Sequence, residues 1–133
     1  MLKIEKERLL LEPGDFKPSN KSLEVIGAFN PGALRLKNGK IVLYVRIAER
    51  AKRWRRGMGV YSPRSVSNKR YNVVFDRFSK NKISSFDRGG FHFKDGTVRL
   101  KFTSHFRRVY LSRNGFTIEK IEQKPFFYGS KNA

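Results

Sequence analysis

Gly27-Ala28-Phe29-Asn30-Pro31-Gly32-Ala33 leads into Leu34-Arg35-Leu36-Lys37, then Asn38-Gly39, then Lys40-Ile41-Val42-Leu43-Tyr44-Val45-Arg46. An Asn-Gly pair between two apolar or alternating runs is the strongest short-range hairpin signal, because both turn residues tolerate positive φ. The hairpin is therefore a stiff platform, and an irregular polar turn feeds directly into it. Asn30 sits just before its first strand, and Arg46 lies near the end of its second. An amide and a guanidinium held on a stiff sheet edge suit a sugar hydroxyl or an anion.

Outward from the hairpin of residues 27–47, the same punctuation recurs. Residues 1–26 are a lead-in with turn chemistry at Pro13-Gly14-Asp15 and Pro18-Ser19-Asn20, and Leu23-Glu24-Val25-Ile26 suits a short edge strand. Residues 48–70 are basic, with Glu49-Arg50-Ala51-Lys52-Arg53-Trp54-Arg55-Arg56 broken by Gly57, Gly59 and Pro63. This segment is expected to be a long exposed loop, with room for one helical turn near Glu49 to Trp54. Residues 71–133 return to strand signals. Tyr71-Asn72-Val73-Val74-Phe75 is one. Phe91-His92-Phe93 and Thr97-Val98-Arg99-Leu100-Lys101-Phe102 flank Asp95-Gly96, and two further runs flank Arg113-Asn114-Gly115. Val98, Leu100 and Phe102 alternate with Arg99 and Lys101, the pattern of a half-buried strand with its apolar side inward. Three hairpins without a helical period predict an all-β antiparallel meander in a single domain, residues 1–133. One four-stranded blade of a propeller is such a meander.

Composition narrows the function classes. The chain has 133 residues, 30 Lys+Arg against 11 Asp+Glu, and a formal net charge of +19. Such a field attracts nucleic acid, anionic surfaces or phosphorylated ligands, and it opposes compaction. Hydrophobic content of 38% with 12 Phe still argues for a packed interior. Without cysteine there is neither a disulfide framework nor a thiolate metal site, and His92 and His105 are too few for a metal cluster. The first residues lack the apolar run of a secretory signal, and no stretch has the length of a membrane span. A cytoplasmic protein with no membrane partner, no cofactor and no metal is the expectation.

The residues resemble a known family. Val25-Ile26-Gly27-Ala28-Phe29-Asn30-Pro31-Gly32-Ala33 with Ile41-Val42-Leu43-Tyr44-Val45-Arg46 is similar to the amino-terminal signature of glycoside hydrolase family 130, the β-mannoside phosphorylases and their mannosidase relatives. Leu10-Leu11-Glu12-Pro13-Gly14-Asp15-Phe16-Lys17-Pro18-Ser19 looks like the lead-in of one branch. Val98-Arg99-Leu100 with Thr103-Ser104-His105-Phe106-Arg107-Arg108 resembles the family's RLT-x-x-S-H-L-R segment, and Ser112-Arg113-Asn114-Gly115-Phe116 resembles its S-x-D-G turn. The resemblance implies the first one to two blades of a five-bladed β-propeller with a sugar site in the central channel. It implies inverting attack on a β-mannoside oligosaccharide by inorganic phosphate as co-substrate, or by water, with an aspartate in a Glu-Asp-Pro-Arg-like motif as general acid. No residue here matches that acid. The expectation is a glycoside phosphorylase- or hydrolase-like chain, inactive alone, that a second chain or a second copy would complete. Asn114 stands where the family has Asp, a conservative change for a turn that wants positive φ.

The candidate site residues follow. Asn30 reads from the residues alone as a turn residue before Pro31, whereas the resemblance makes it a sugar contact. Arg46 is either a solvated strand-end arginine or a contact to a sugar hydroxyl. The family's inward-facing arginine matches Arg107 or Arg108, which point to opposite faces of a strand, so only one can line a channel. His105 reads as a packed or capping histidine, Asp87 and Asp95 read as loop and turn residues, and Asp76 has no partner in sequence that suggests general acid work. A different class of function is a small basic β-module binding nucleic acid through Arg50, Lys52, Arg53, Trp54, Arg55 and Arg56, cations that track phosphates with one ring to stack a base. A third class is an interaction protein built on exposed blade edges.

Overall fold

A computed structural model describes residues 3–68 and 70–128. In chain order the strands are β1 (Leu23–Arg35), β2 (Ile41–Ala51), β3 (Arg55–Arg56), β4 (Gly59–Asn68), β5 (Arg70–Ser79), β6 (Ile83–Phe86), β7 (Gly90–Phe93), β8 (Val98–Leu100), β9 (Phe102–Leu111), β10 (Ile118–Ile121) and β11 (Phe127–Tyr128). Two short 3₁₀ turns, Pro13–Asp15 and Lys80–Lys82, complete the elements.

All three glycine-bearing turns form. In the first, the Gly39 N–H donates to the Leu36 carbonyl at 2.9 Å and the Leu36 N–H to that of Lys40 at 2.8 Å. The second repeats the pattern with Gly96 to Phe93 at 3.0 Å and Phe93 to Thr97 at 2.9 Å. These are three-residue loops closed by a left-handed glycine, at φ 84° and 89°. Only the glycine is left-handed in each, not both members of the pair. Asn38 and Asp95 instead accept the N–H two residues on, from Lys40 and Thr97, each at 2.9 Å. Asn114 does the same for Phe116 at 2.9 Å, and Gly115 rather than Asn114 carries the positive φ.

The principal sheet has the order β1-β2-β9-β10, every neighbour antiparallel, with β11 pairing His105 and Phe106 of β9. This is the form of a propeller blade. The fold is all-β and antiparallel, consistent with part of a propeller. Between β2 and β9 the chain makes two further three-stranded sheets, β3-β4-β5 and β6-β7-β8. Along β2 and β9 the side chains alternate. Val45, Ile47, Val109 and Leu111 face one side and form the main core with Phe16 from the lead-in. Leu10, Leu11, Ile41 and Leu43 pack around it, so the lead-in covers this face rather than trailing from it. A second core joins Val60, Phe91 and Phe93 to Trp54, Phe78 and Ile83, between the two smaller sheets.

Three expectations are corrected. The described residues of the 48–70 segment do not form a long loop: β2 runs on to Ala51, and β3 and β4 follow with a tight turn at Gly57. Pro63 is tolerated within β4 because β3 pairs only Val60 and Gly59, leaving one side of β4 open at Pro63. Leu23-Glu24-Val25-Ile26 is not a separate short strand but the beginning of thirteen-residue β1, which is an edge strand. Finally, the inward side of residues 97–102 is reversed. Val98 and Leu100 are 52% and 55% exposed, while Lys101 is 4% exposed. Lys101 is buried because its ammonium sits 4.0 Å from the Trp54 ring and 4.6 Å from that of Phe86, and Arg99 is held by Asp76.

Candidate functional site

Asn30 owes its position to a bulge. β1 pairs Phe29 with Arg46 and Gly32 with Tyr44, so Asn30 and Pro31 together oppose the single residue Val45. Asn30 there adopts φ 50°, the one positive φ of a non-glycine residue among the described residues. Asparagine is suited to this conformation. The bulge leaves Asn30 exposed beside the strand that carries Arg46.

Arg46 and Arg108 share a face. Arg46 pairs across the sheet with Phe106, and Tyr44 pairs with Arg108, so the two arginines are diagonal neighbours on adjacent strands. Arg46 is half-buried, its Nε donating to Ser104 Oγ at 3.2 Å and its guanidinium lying 5.0 Å from the Phe29 ring. Arg108 donates from Nε to Glu122 Oε2 at 2.7 Å and lies 4.1 Å from the ring of Phe126, which itself packs on Tyr44. The bond to Glu122 raises the Arg108 pKa and keeps it cationic. Arginine, aromatic and amide groups on one rigid face can hold a polar ring through hydroxyl hydrogen bonds and ring stacking.

Arg107 points the other way, into the interior, and is fully buried with Glu49. Its Nη1 donates to the Lys17 carbonyl at 2.7 Å and to Gln123 Oε1 at 3.2 Å, and its Nη2 approaches Glu49 Oε1 at 3.4 Å. The Glu49 carboxylate also accepts the N–H and the hydroxyl of Ser19, both at 2.6 Å. The Arg107 Nε–H donates to His105 Nε2 at 2.9 Å. That bond makes Nε2 the acceptor, so His105 is neutral with its proton on Nδ1, which faces the Tyr71 hydroxyl at 3.2 Å. Burial, then the nearby Arg107 charge, pushes the His105 pKa down to about 3. Burial, then Glu49, raises that of Tyr71. Sequence reasoning took Glu49 as part of the basic segment and missed Ser19, Tyr71 and Gln123. The alternation of β2 held a clue: Ile41, Leu43, Val45 and Ile47 are followed at the same period by Glu49. Nothing in the sequence marks Ser19 or Gln123 as its neighbours.

The basic cluster divides. Arg50 is paired with Glu24 at 2.6 Å. Trp54 is packed against Phe86 and Phe91 beneath Lys101, and the Arg55 guanidinium lies over Phe86. Lys52, Arg53 and Arg56 instead line a separate cleft. Asp76 bridges Arg64 and Arg99, and its pKa is lowered first by the Arg64 hydrogen bond. Asp87 accepts from His92 and the Gly89 and Gly90 N–H groups, with a pKa of about 2. Both carboxylates are thus held ionised. Among the described residues no helix is long and apolar enough to cross a membrane.

No protein-family model matches the chain. No curated protein matches it either. Among solved structures it is similar to β-1,2-mannobiose phosphorylase from Listeria innocua in complex with β-1,2-mannobiose, at 28% identity and a TM-score of 0.67. The similarity covers 89% of this chain and 33% of that one. The chain therefore resembles, in sequence and in fold, about a third of a glycoside phosphorylase.

Proposed function

We propose that this chain is the amino-terminal part of a glycoside phosphorylase- or hydrolase-like propeller acting on β-mannosides, and that it supplies Asn30, Arg46 and Arg108 to a sugar subsite. The observation that carries this reading is the similarity to a mannobiose phosphorylase over nearly all of the chain. The common face of Arg46 and Arg108, with Asn30 beside it, supports the subsite. Arg107 serves the interior instead, positioning the strand that presents Arg108. The Asn30 amide and the two guanidiniums would orient the sugar by hydrogen bonds to its hydroxyls, and inorganic phosphate would be the attacking co-substrate in a phosphorylase. Neither Asp76, tied to two arginines, nor Asp87, with a pKa of about 2, is suited to protonate a leaving oxygen at neutral pH. The general acid would come from a further part of the propeller.

Saturation-transfer NMR with β-1,2-mannobiose tests the subsite. The chain is expected to give a difference signal that Arg46→Ala abolishes, with cellobiose giving none. Absence of any signal with the unaltered chain would remove the subsite. Incubation with the disaccharide and inorganic phosphate is expected to release no mannose 1-phosphate. Release would show that the acid lies within these residues.

A further inference from the structure

A cleft of about 300 Å³ opens where the end of β2 meets the β3-β4-β5 sheet. It shares no residue with Asn30, Arg46 or Arg108. Lys21, Lys52, Arg53 and Arg56 line it, and Tyr61 and Phe75 form its aromatic wall. No acidic residue lines it. None of the four cations takes part in an ion pair among the described residues. Uncompensated like charges repel one another, and an anion seated among them relieves that repulsion.

The walls are fixed by backbone. The Lys52 N–H donates to the Ser22 carbonyl at 2.9 Å, tying the segment before β1 to the end of β2. The Tyr61 N–H donates to the Trp54 carbonyl at 2.8 Å, tying β4 to the segment before β3. The Arg56 guanidinium lies 4.0 Å from the Tyr61 ring, so one positive charge is held against the aromatic wall. The cleft thus pairs a cationic rim with a half-buried aromatic surface. A bare inorganic anion would use only the first of these. The size is at the lower end of ligand clefts, about 300 Å³, and suits one base rather than a long ligand.

We propose that this cleft binds a nucleoside phosphate unit, with the phosphate on Lys52, Arg53 and Arg56 and the base against Tyr61 and Phe75. The unit is either a free nucleotide or one residue of a single-stranded nucleic acid. Base stacking on aromatic side chains and phosphate pairing with Lys and Arg are the shared chemistry of both.

The test is fluorescence anisotropy of a short labelled oligothymidylate near physiological salt, where diffuse attraction is weakened. Two charge-matched variants are compared, Arg53→Glu with Arg56→Glu in the cleft and Lys37→Glu with Lys94→Glu elsewhere. All four side chains are exposed, and neither pair touches a core. The cleft variant is expected to weaken binding by more than about tenfold and the control by less than about twofold. Equal losses, or no binding by the unaltered chain, would overturn the proposal. Thymidine 5′-monophosphate is expected to displace the strand where inorganic phosphate at the same concentration does not. Equal displacement by phosphate would also overturn it, because the aromatic wall would then play no part. Monophosphate binding as tight as that of the strand identifies free nucleotide as the ligand, and weaker binding identifies single-stranded nucleic acid.

Discussion

Asn30 combines two demands that substitution can separate. Its backbone is left-handed at φ 50°, and its amide is the proposed sugar contact. Glycine satisfies the first demand alone, and alanine satisfies neither. Asn30→Ala is expected to lower stability by about 1 kcal/mol, while Asn30→Gly leaves it nearly unchanged. Both are expected to lose the mannobiose difference signal. Urea unfolding beside the NMR titration checks this, and a retained signal in Asn30→Gly would return Asn30 to a purely backbone role. At this scale the sequence was informative where chemistry is local. The Asn-Pro-Gly irregularity and the glycines of the three turns were legible because turn conformation is decided within a few residues. The choice between Arg107 and Arg108 was not. It depends on which side of β9 meets the lead-in, a matter of register with β2.

The alternation of β2 and β9 sorts whole elements into an interior and a working face. On the interior side Glu49 and Arg107 are fully buried and each meets several polar partners. Removing one member of a buried ion pair strands the other charge, at a cost of about 3–5 kcal/mol. Arg107→Met is therefore expected to shift the urea midpoint far down, and Glu49→Leu likewise. The double variant should be more stable than either single one, because apolar groups of similar size replace the pair without leaving a charge behind. If the double variant loses the sum of the two single losses, the residues are not coupled. Of the elements between β2 and β9, β3 and β4 were the least legible. The basic residues, Gly57, Gly59 and Pro63 read locally as a loop. The strands form because Val60 and Phe91 bury between two sheets, a long-range gain that composition does not reveal. Lys101 illustrates the same limit: its ammonium is housed by three rings contributed from distant segments.

For the whole molecule, the buried histidine couples folding to pH. The folded chain holds the His105 pKa at about 3, below its ordinary 6.5. Between those values the unfolded chain binds a proton that the folded chain refuses, so stability falls as pH drops from about 6.5 toward 3. Asp76, also lowered by its arginine partners, acts in the same direction toward acid pH. Urea midpoints measured at about pH 7, 6 and 5 are expected to decrease in that order, and His105→Gln to flatten the trend. A midpoint that rises toward pH 5 would mean that His105 is charged in the folded state. The bulges of β1 bear on a different property. Thirteen residues of strand edge are a long template for recruiting other chains into fibrils. Here the pairing register slips between Val25 and Gly27 and again between Phe29 and Gly32, and Pro31 offers no N–H. An incoming strand would find only short straight segments and would lose step at each slip. The distortion that presents Asn30 thus also blunts the edge as a seed for aggregation.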